Sequence, residues 1–186
     1  MVLPKPWLKS TIKEYMSLPE GARYQLLDWE MILAPSPTQR HQNISAFLYR
    51  ALFQFTSENQ LGQIWFAPLD VVLSEYDVAQ PGLLFVSNAR SDIITDANIQ
   101  GAPDLVVEII SPGTAQYDRG YKQLLYGRYG ILEYWLVDPD VETVEVLVPG
   151  GEGLSPAAVY RRGDTLESSL LQGLTIVIED IFGQPS

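Results

Sequence analysis

Apolar residues recur along the chain in two rhythms, and the switches between them mark out its elements. Ile44, Phe47, Leu48, Leu52 and Phe55 fall at three- and four-residue intervals. They predict a long amphipathic helix from about 37 to 59, opened by Ser36-Pro37 and stopped before Gly62. Ahead of it, Thr11-Ile12-Lys13-Glu14 has the capping-box pattern of a short helix ended by Pro19 and Gly21. Residues 24–27 and 31–33, about Asp28-Trp29-Glu30, read as a hairpin. Strands are expected at 64–73, 83–86, 105–110, 134–137 and 143–148, the last two joined by the Asp138-Pro139-Asp140 turn, with weaker ones at 157–161, 165–166 and 175–178. Residues 88–98 read as a polar connection holding a short helix. Tyr117, Tyr121, Leu124, Leu125 and Arg128 predict a further helix after Ser111-Pro112-Gly113-Thr114, closed near Gly130. This order predicts an α+β chain with a mixed central sheet, helices against it, and an N-terminal helix and hairpin.

One residue breaks the pattern. The run 105–110, bounded by Pro103 and Pro112, reads as a short buried strand, yet Glu108 sits inside it. An ionised carboxylate buried without a partner costs several kcal/mol, so Glu108 needs a cation, a donor or a catalytic reason. Strand alternation puts Asp104, Val106 and Glu108 on one side, with both carboxylates free to address a common metal. Lys122 is a second source of charge: the chain turns at Ser111-Pro112-Gly113, and the following helix returns along the strand. Asp118 lies four residues before Lys122, the spacing of an ordinary exposed helical ion pair worth a few tenths of a kcal/mol. His41 is the sole histidine, in the opening turns of the long helix. It suits a hydrogen-bond donor or base near phosphate better than a zinc ligand.

Composition narrows the picture. With 186 residues, 46% of them hydrophobic, the chain is expected to form a single domain, 1–186, around one sizeable core. The absence of cysteine excludes disulfides and thiolate metal sites. There is no membrane-length apolar run, and Met1-Val2-Leu3-Pro4-Lys5-Pro6-Trp7 lacks a signal-peptide core, so a soluble cytoplasmic protein is the expectation. The net charge of -11 argues against nucleic acid as a partner, since Lys and Arg supply that kind of affinity. The acidity is uneven, however: residues 130–186 hold ten Asp or Glu against Arg161 and Arg162. Arg40, His41, Arg50, Arg119, Lys122 and Arg128 lie in the less acidic remainder, where a local positive face can form.

Six ordered segments (residues 24–30, 35–42, 67–73, 80–86, 101–108 and 133–139, including Gln80-Pro81-Gly82, Pro103-Asp104-Leu105-Val106-Val107-Glu108 and Glu133-Tyr134-Trp135-Leu136-Val137-Asp138-Pro139) resemble the bacterial Uma-two family of proposed endonucleases, once a domain of unknown function. The likeness covers about residues 20 to 150 and implies a restriction-endonuclease-like mixed central sheet flanked by helices, with a PD-(D/E)xK metal site. By resemblance Glu108 is the motif glutamate and Lys122 the lysine, moved to the following helix, since Ile110 occupies the usual lysine position. The motif aspartate falls on Gly82, so one strong ligand is absent, although a glycine there is expected to leave room for a side chain. Glu30 matches a family acidic position and is the expected second metal ligand and catalytic partner, with Asp104 the alternative substitute. The resemblance implies a metal-dependent DNA endonuclease with weakly bound Mg (or Mn), impaired through Gly82, or else a catalytically degenerate nucleic-acid-binding or protein-interaction domain. Implied partners are duplex DNA, approached by His41, Gln39 and Arg40, and a second copy in a homodimer, with no membrane.

Overall fold

The computed structural model describes residues 9–19, 21–151 and 153–183; the expectation about residues 1–7 lies outside them. In chain order the elements are α1 (Ile12–Met16), β1 (Tyr24–Leu27), β2 (Glu30–Leu33), α2 (Gln39–Glu58), β3 (Gly62–Phe66), β4 (Val71–Val72), β5 (Val78–Ala79), β6 (Leu83–Ser87), β7 (Ile99–Gln100) and β8 (Leu105–Ile109). Then follow a π-helical turn (Tyr117–Tyr121), α3 (Lys122–Tyr129), β9 (Glu133–Asp138), β10 (Thr143–Gly150), β11 (Gly153–Tyr160), β12 (Thr165–Glu167), β13 (Thr175–Val177) and α4 (Ile178–Phe182).

Six strands form the main sheet in the order β11-β10-β9-β8-β6-β3. Only the β8–β9 pair is parallel, and α3 makes that crossover, so β8 occupies the interior of a mixed sheet. Every residue of β8 is buried because both faces are covered. Leu105, Val107 and Ile109 pack with Ile44, Leu48 and Leu52 of α2 and with the C-terminal residues Leu166, Ile176 and Ile181. Val106 packs on the opposite face with Leu125 and Tyr126 of α3 and with Val71 and Ile99 of a smaller five-stranded sheet, β2-β1-β5-β4-β7. The two cores lie on the two faces that strand alternation defines.

Local signals account for most boundaries. The Thr38 hydroxyl accepts the His41 amide and caps α2, while the Glu14 carboxylate accepts the Thr11 amide at 2.8 Å and closes the capping box of α1. Gly130, at φ 83°, ends α3 in the left-handed conformation that glycine adopts without strain. Two expectations are corrected. The run 64–73 divides into β3 and β4 at Ala67-Pro68, because proline cannot supply the ladder amide. Residues 178–182 form a short helix packed on α2, where a strand was expected to reach 178.

Glu133, the first residue of β9, is another buried carboxylate, and among the described residues no cation pairs with it. It is held by donors instead: Trp135 Nε1 at 2.7 Å, Ser168 Oγ at 2.8 Å, Ser169 N at 3.0 Å, Ser169 Oγ at 2.7 Å and Leu170 N at 3.0 Å. These bonds fasten residues 168–171 to the sheet. Replacing Glu133 by Gln turns a donating NH2 toward groups that need an acceptor. A loss of about 3 kcal/mol in a denaturant titration is expected, with faster exchange of the Leu170 amide. A stability unchanged within error would show that the five bonds are not needed.

Candidate active site

The C-terminal end of β8 opens into a cleft of about 630 Å³. Its walls come from the open end of the β1–β2 hairpin, the first turns of α2, the start of β6 and the segment from Ser111 to Lys122. On its floor Glu108 and Lys122 meet, with Oε1 and Nζ 2.6 Å apart and side chains only 9% and 2% exposed. Tyr126 OH donates to the same oxygen at 3.0 Å, and the Gly82 amide donates to Oε2 at 3.3 Å. Asp118, also fully buried, lies 3.0 Å from the ammonium. The π-helical turn holds this arrangement: its wide i→i+5 geometry keeps Asp118 and Lys122 on the side that faces Glu108. An ion pair expected on the surface is therefore an interior one.

Burial pushes the Glu108 carboxyl above the usual carboxylate range, and the Lys122 charge pulls the other way. For Lys122, burial opposes the ammonium, but the Glu108 and Asp118 charges outweigh it and hold the group above the usual lysine range. Tyr126 is raised well above an ordinary phenol, first by burial and then by Glu108, so it remains a proton donor. His41 is lowered, chiefly by burial, against the Ile109 backbone and the Asp118 charge, and is neutral at pH 7. Among the described residues two buried side-chain atoms lack a hydrogen-bond partner, His41 Nδ1 and Asp118 Oδ1, the latter held by its ion pair with the ammonium at 3.0 Å.

The structure brings together Glu108, Lys122, Gly82, His41 and Arg40, all of which line the cleft. It does not bring in Glu30, Asp104 or Gln39. Glu30 pairs with Leu27 beside the hairpin turn, whereas the cleft meets the other end of the hairpin at Arg23 and Ala34, roughly 13 Å along an extended strand. Asp104 shares the Glu108 side of β8 but sits at its opposite end, bound to the Ser87 amide at 2.7 Å and to Arg90 at 3.4 Å. Gln39 is exposed at the start of α2 and does not line the cleft. Gly82 has less room than expected: a Cβ there would stand 3.1 Å from the Val107 carbonyl oxygen. Asp118 and Tyr126 are the residues that sequence reasoning missed. The signal for Asp118 was present in its spacing from Lys122, but burial was not legible.

A hard divalent cation such as magnesium takes about six oxygen ligands, of which one or two are carboxylates and the rest waters or phosphate oxygens. Here the two converging carboxylates, Glu108 and Asp118, already flank the Lys122 ammonium, and Gly82 offers only an amide donor. Among the described residues no group of three or more His, Asp or Glu is placed to hold an ion. The residues present do not fit a tightly held divalent metal.

A mixed sheet with its acid–lysine pair at the strand ends, beneath an open cleft, belongs to the restriction-endonuclease-like class of folds. A crystal structure described as a putative nuclease belonging to DUF820, from Anabaena variabilis, superposes with a TM-score of 0.79 at 22% sequence identity, covering 92% of this chain and 97% of that one. The model of the Uma2 family, described as "putative restriction endonuclease", matches residues 12–179, and the chain belongs to that family. Among curated proteins none matches.

The pair gives a signed pH test. In Lys122→Met, Glu108 keeps the burial that raises it and loses the ammonium that lowers it. The folded state then holds a proton that the unfolded chain releases near pH 4.5, so stability relative to wild type falls as pH rises from there to neutrality. Melting curves at pH 4.5 and 7.5 should diverge by about 3 kcal/mol, and adding Glu108→Gln should remove most of the divergence. A variant equally destabilised at both pH values would show that Lys122 does not compensate Glu108.

Proposed function

We propose that this chain acts on DNA as an endonuclease, hydrolysing a phosphodiester bond in the Glu108–Lys122 cleft, and that Gly82 limits its cutting step. The observation that carries this reading is the buried Glu108–Lys122–Asp118 cluster on the floor of an open cleft. Buried ion pairs are poor stabilisers next to apolar packing, and one kept where solvent can enter points to chemistry. Membership of a family described as restriction endonucleases supplies the reaction class.

The chain's own residues have separable parts to play. Lys122, held fully charged, offsets the negative charge that grows on the phosphate oxygens. Neutral His41, at the cleft wall, orients the attacking water. Ser111, Thr114 and Thr38 hydroxyls line the walls where phosphate oxygens would lie, and Arg40 stands at the rim. The reading includes weak use of magnesium or manganese, consistent with a donor set one carboxylate short. It also includes duplex DNA as substrate and a homodimer, because cutting two strands takes two sites.

A second reading is favoured by one observation, the amide of Gly82 in place of a ligand: the cleft binds nucleic acid without cutting. Plasmid nicking with Mg or Mn separates the two. Gly82→Asp should raise nicking at least about tenfold by adding a hard oxygen ligand. Gly82→Ala carries the same crowding against Val107 without the carboxylate and should not. Glu108→Ala and Lys122→Ala should abolish activity, a loss on the order of a hundredfold or more. If Gly82→Asp folds, takes up no additional manganese by calorimetry and cuts nothing, the non-cutting reading replaces the nuclease.

A further inference from the structure

Next to the cleft lies an aromatic surface that the proposed reaction does not use. On α2, Gln42, Ser45, Tyr49 and Phe53 follow at three- and four-residue steps and so share one stripe. The stripe starts in the cleft, where Gln42 and Ser45 line the wall, and leaves it through Tyr49 and Phe53. Phe66, on the edge strand β3 and itself at the cleft wall, completes the surface. Its ring meets Tyr49 edge-on at 5.0 Å between centroids, and Tyr49 stacks on Phe53 at 5.7 Å. Phe53 is 50% exposed and Phe66 56% exposed, while Tyr49 packs against the core and fixes the position of both.

Two large rings left half in water around the same tyrosine mark a contact surface rather than scattered exposure. Charge indicates the occupant. In a chain of net charge -11, α2 carries no Asp or Glu from Gln39 to Ser57, and Arg50, next to Tyr49, is its cation nearest the stripe, Arg40 being paired with Glu142. Such a face suits a polyanion. Position indicates which part of the polyanion. Phe66 pairs with Leu83 across β3–β6, and the Ala67 amide donates to the Gly82 carbonyl at 3.0 Å, so the rings begin one strand from Gly82 and two from Glu108. That is roughly 10 Å, a few nucleotides along a strand whose phosphate lies in the cleft.

We propose that Tyr49, Phe53 and Phe66 form a stacking platform for unpaired bases of the strand that leaves the cleft, so that the protein prefers DNA with a single-stranded flank to blunt duplex. Paired bases present only their edges, whereas an unpaired base can lay its face on an exposed ring, independent of sequence. The proposal rests on the cleft reading above, and it concerns which DNA is bound rather than whether it is cut.

Fluorescence anisotropy at low salt tests it, using a blunt duplex and the same duplex with a short overhang on either end. Wild type should bind the overhang duplex more tightly. Phe53→Ala should lose that preference, on the order of tenfold in affinity, with blunt-duplex binding unchanged. Phe66→Ala should lose it too, and Phe66→Trp should retain it. Wild type that binds both DNAs equally, or an alanine variant that weakens both alike, overturns the platform and leaves the cleft reading standing; binding to neither DNA overturns both. Sedimentation velocity covers the remaining case: if Phe53→Ala turns a dimer into a monomer, the rings are an interface between copies and the platform is wrong.

Discussion

Glu108 and Lys122, 2.6 Å apart in the interior, constrain most of what surrounds them. The carboxylate can stay charged in the middle of a sheet only if an ammonium reaches it, and the ammonium is tolerable only because Asp118 shares it. Meeting both conditions requires α3 to return along β8 immediately after the strand ends, preceded by the π-helical turn that points Asp118 and Lys122 inward. The parallel β8–β9 pairing that makes the sheet mixed follows from that crossover.

Of the carboxylates buried around β8 and β9, Glu133, Asp104 and the neighbouring Glu108 and Asp118 are satisfied in three different ways. Glu133 has five neutral donors and no opening to solvent. Asp104 has the Ser87 amide and Arg90 at the far end of β8. Glu108, with Asp118 beside it, combines a buried ammonium with a cleft that a ligand can enter. Burial alone does not distinguish structural carboxylates from a reactive one; what they pair with, and what they face, does.

The acidity of the chain also takes on a spatial meaning. Several surface cations are tied to acids: Arg40 to Glu142 at 2.8 Å, and Arg119 to Asp138 at 2.6 Å. Exposed pairs of this kind add little stability and can be exchanged for another anion at small cost. Lys122 is different, since its partners lie inside with it. The Lys122 charge is thus compensated in the interior, and those of Arg40 and Arg119 at the surface.

What the sequence by itself determined was whatever depends on short-range pattern. The helical stripe Ile44-Leu48-Leu52, the hairpin about Asp28-Trp29, the capping box at Thr11 and the buried run around Glu108 are each legible, because periodicity and capping chemistry act over a few residues. The convergence of Lys122 on Glu108 was also legible, since one turn and one returning helix suffice to bring them together. Asp104, Glu30 and Asp118 were not. Asp104 shares a strand face with Glu108 but lies at the wrong end, Glu30 occupies the wrong end of its hairpin, and Asp118 looked like half of a surface pair. In each case the deciding quantity was position along an element relative to the cleft, or burial beneath a neighbouring element. Only the packing of the two cores against the sheet sets those distances, because no local propensity encodes which strand end stays open.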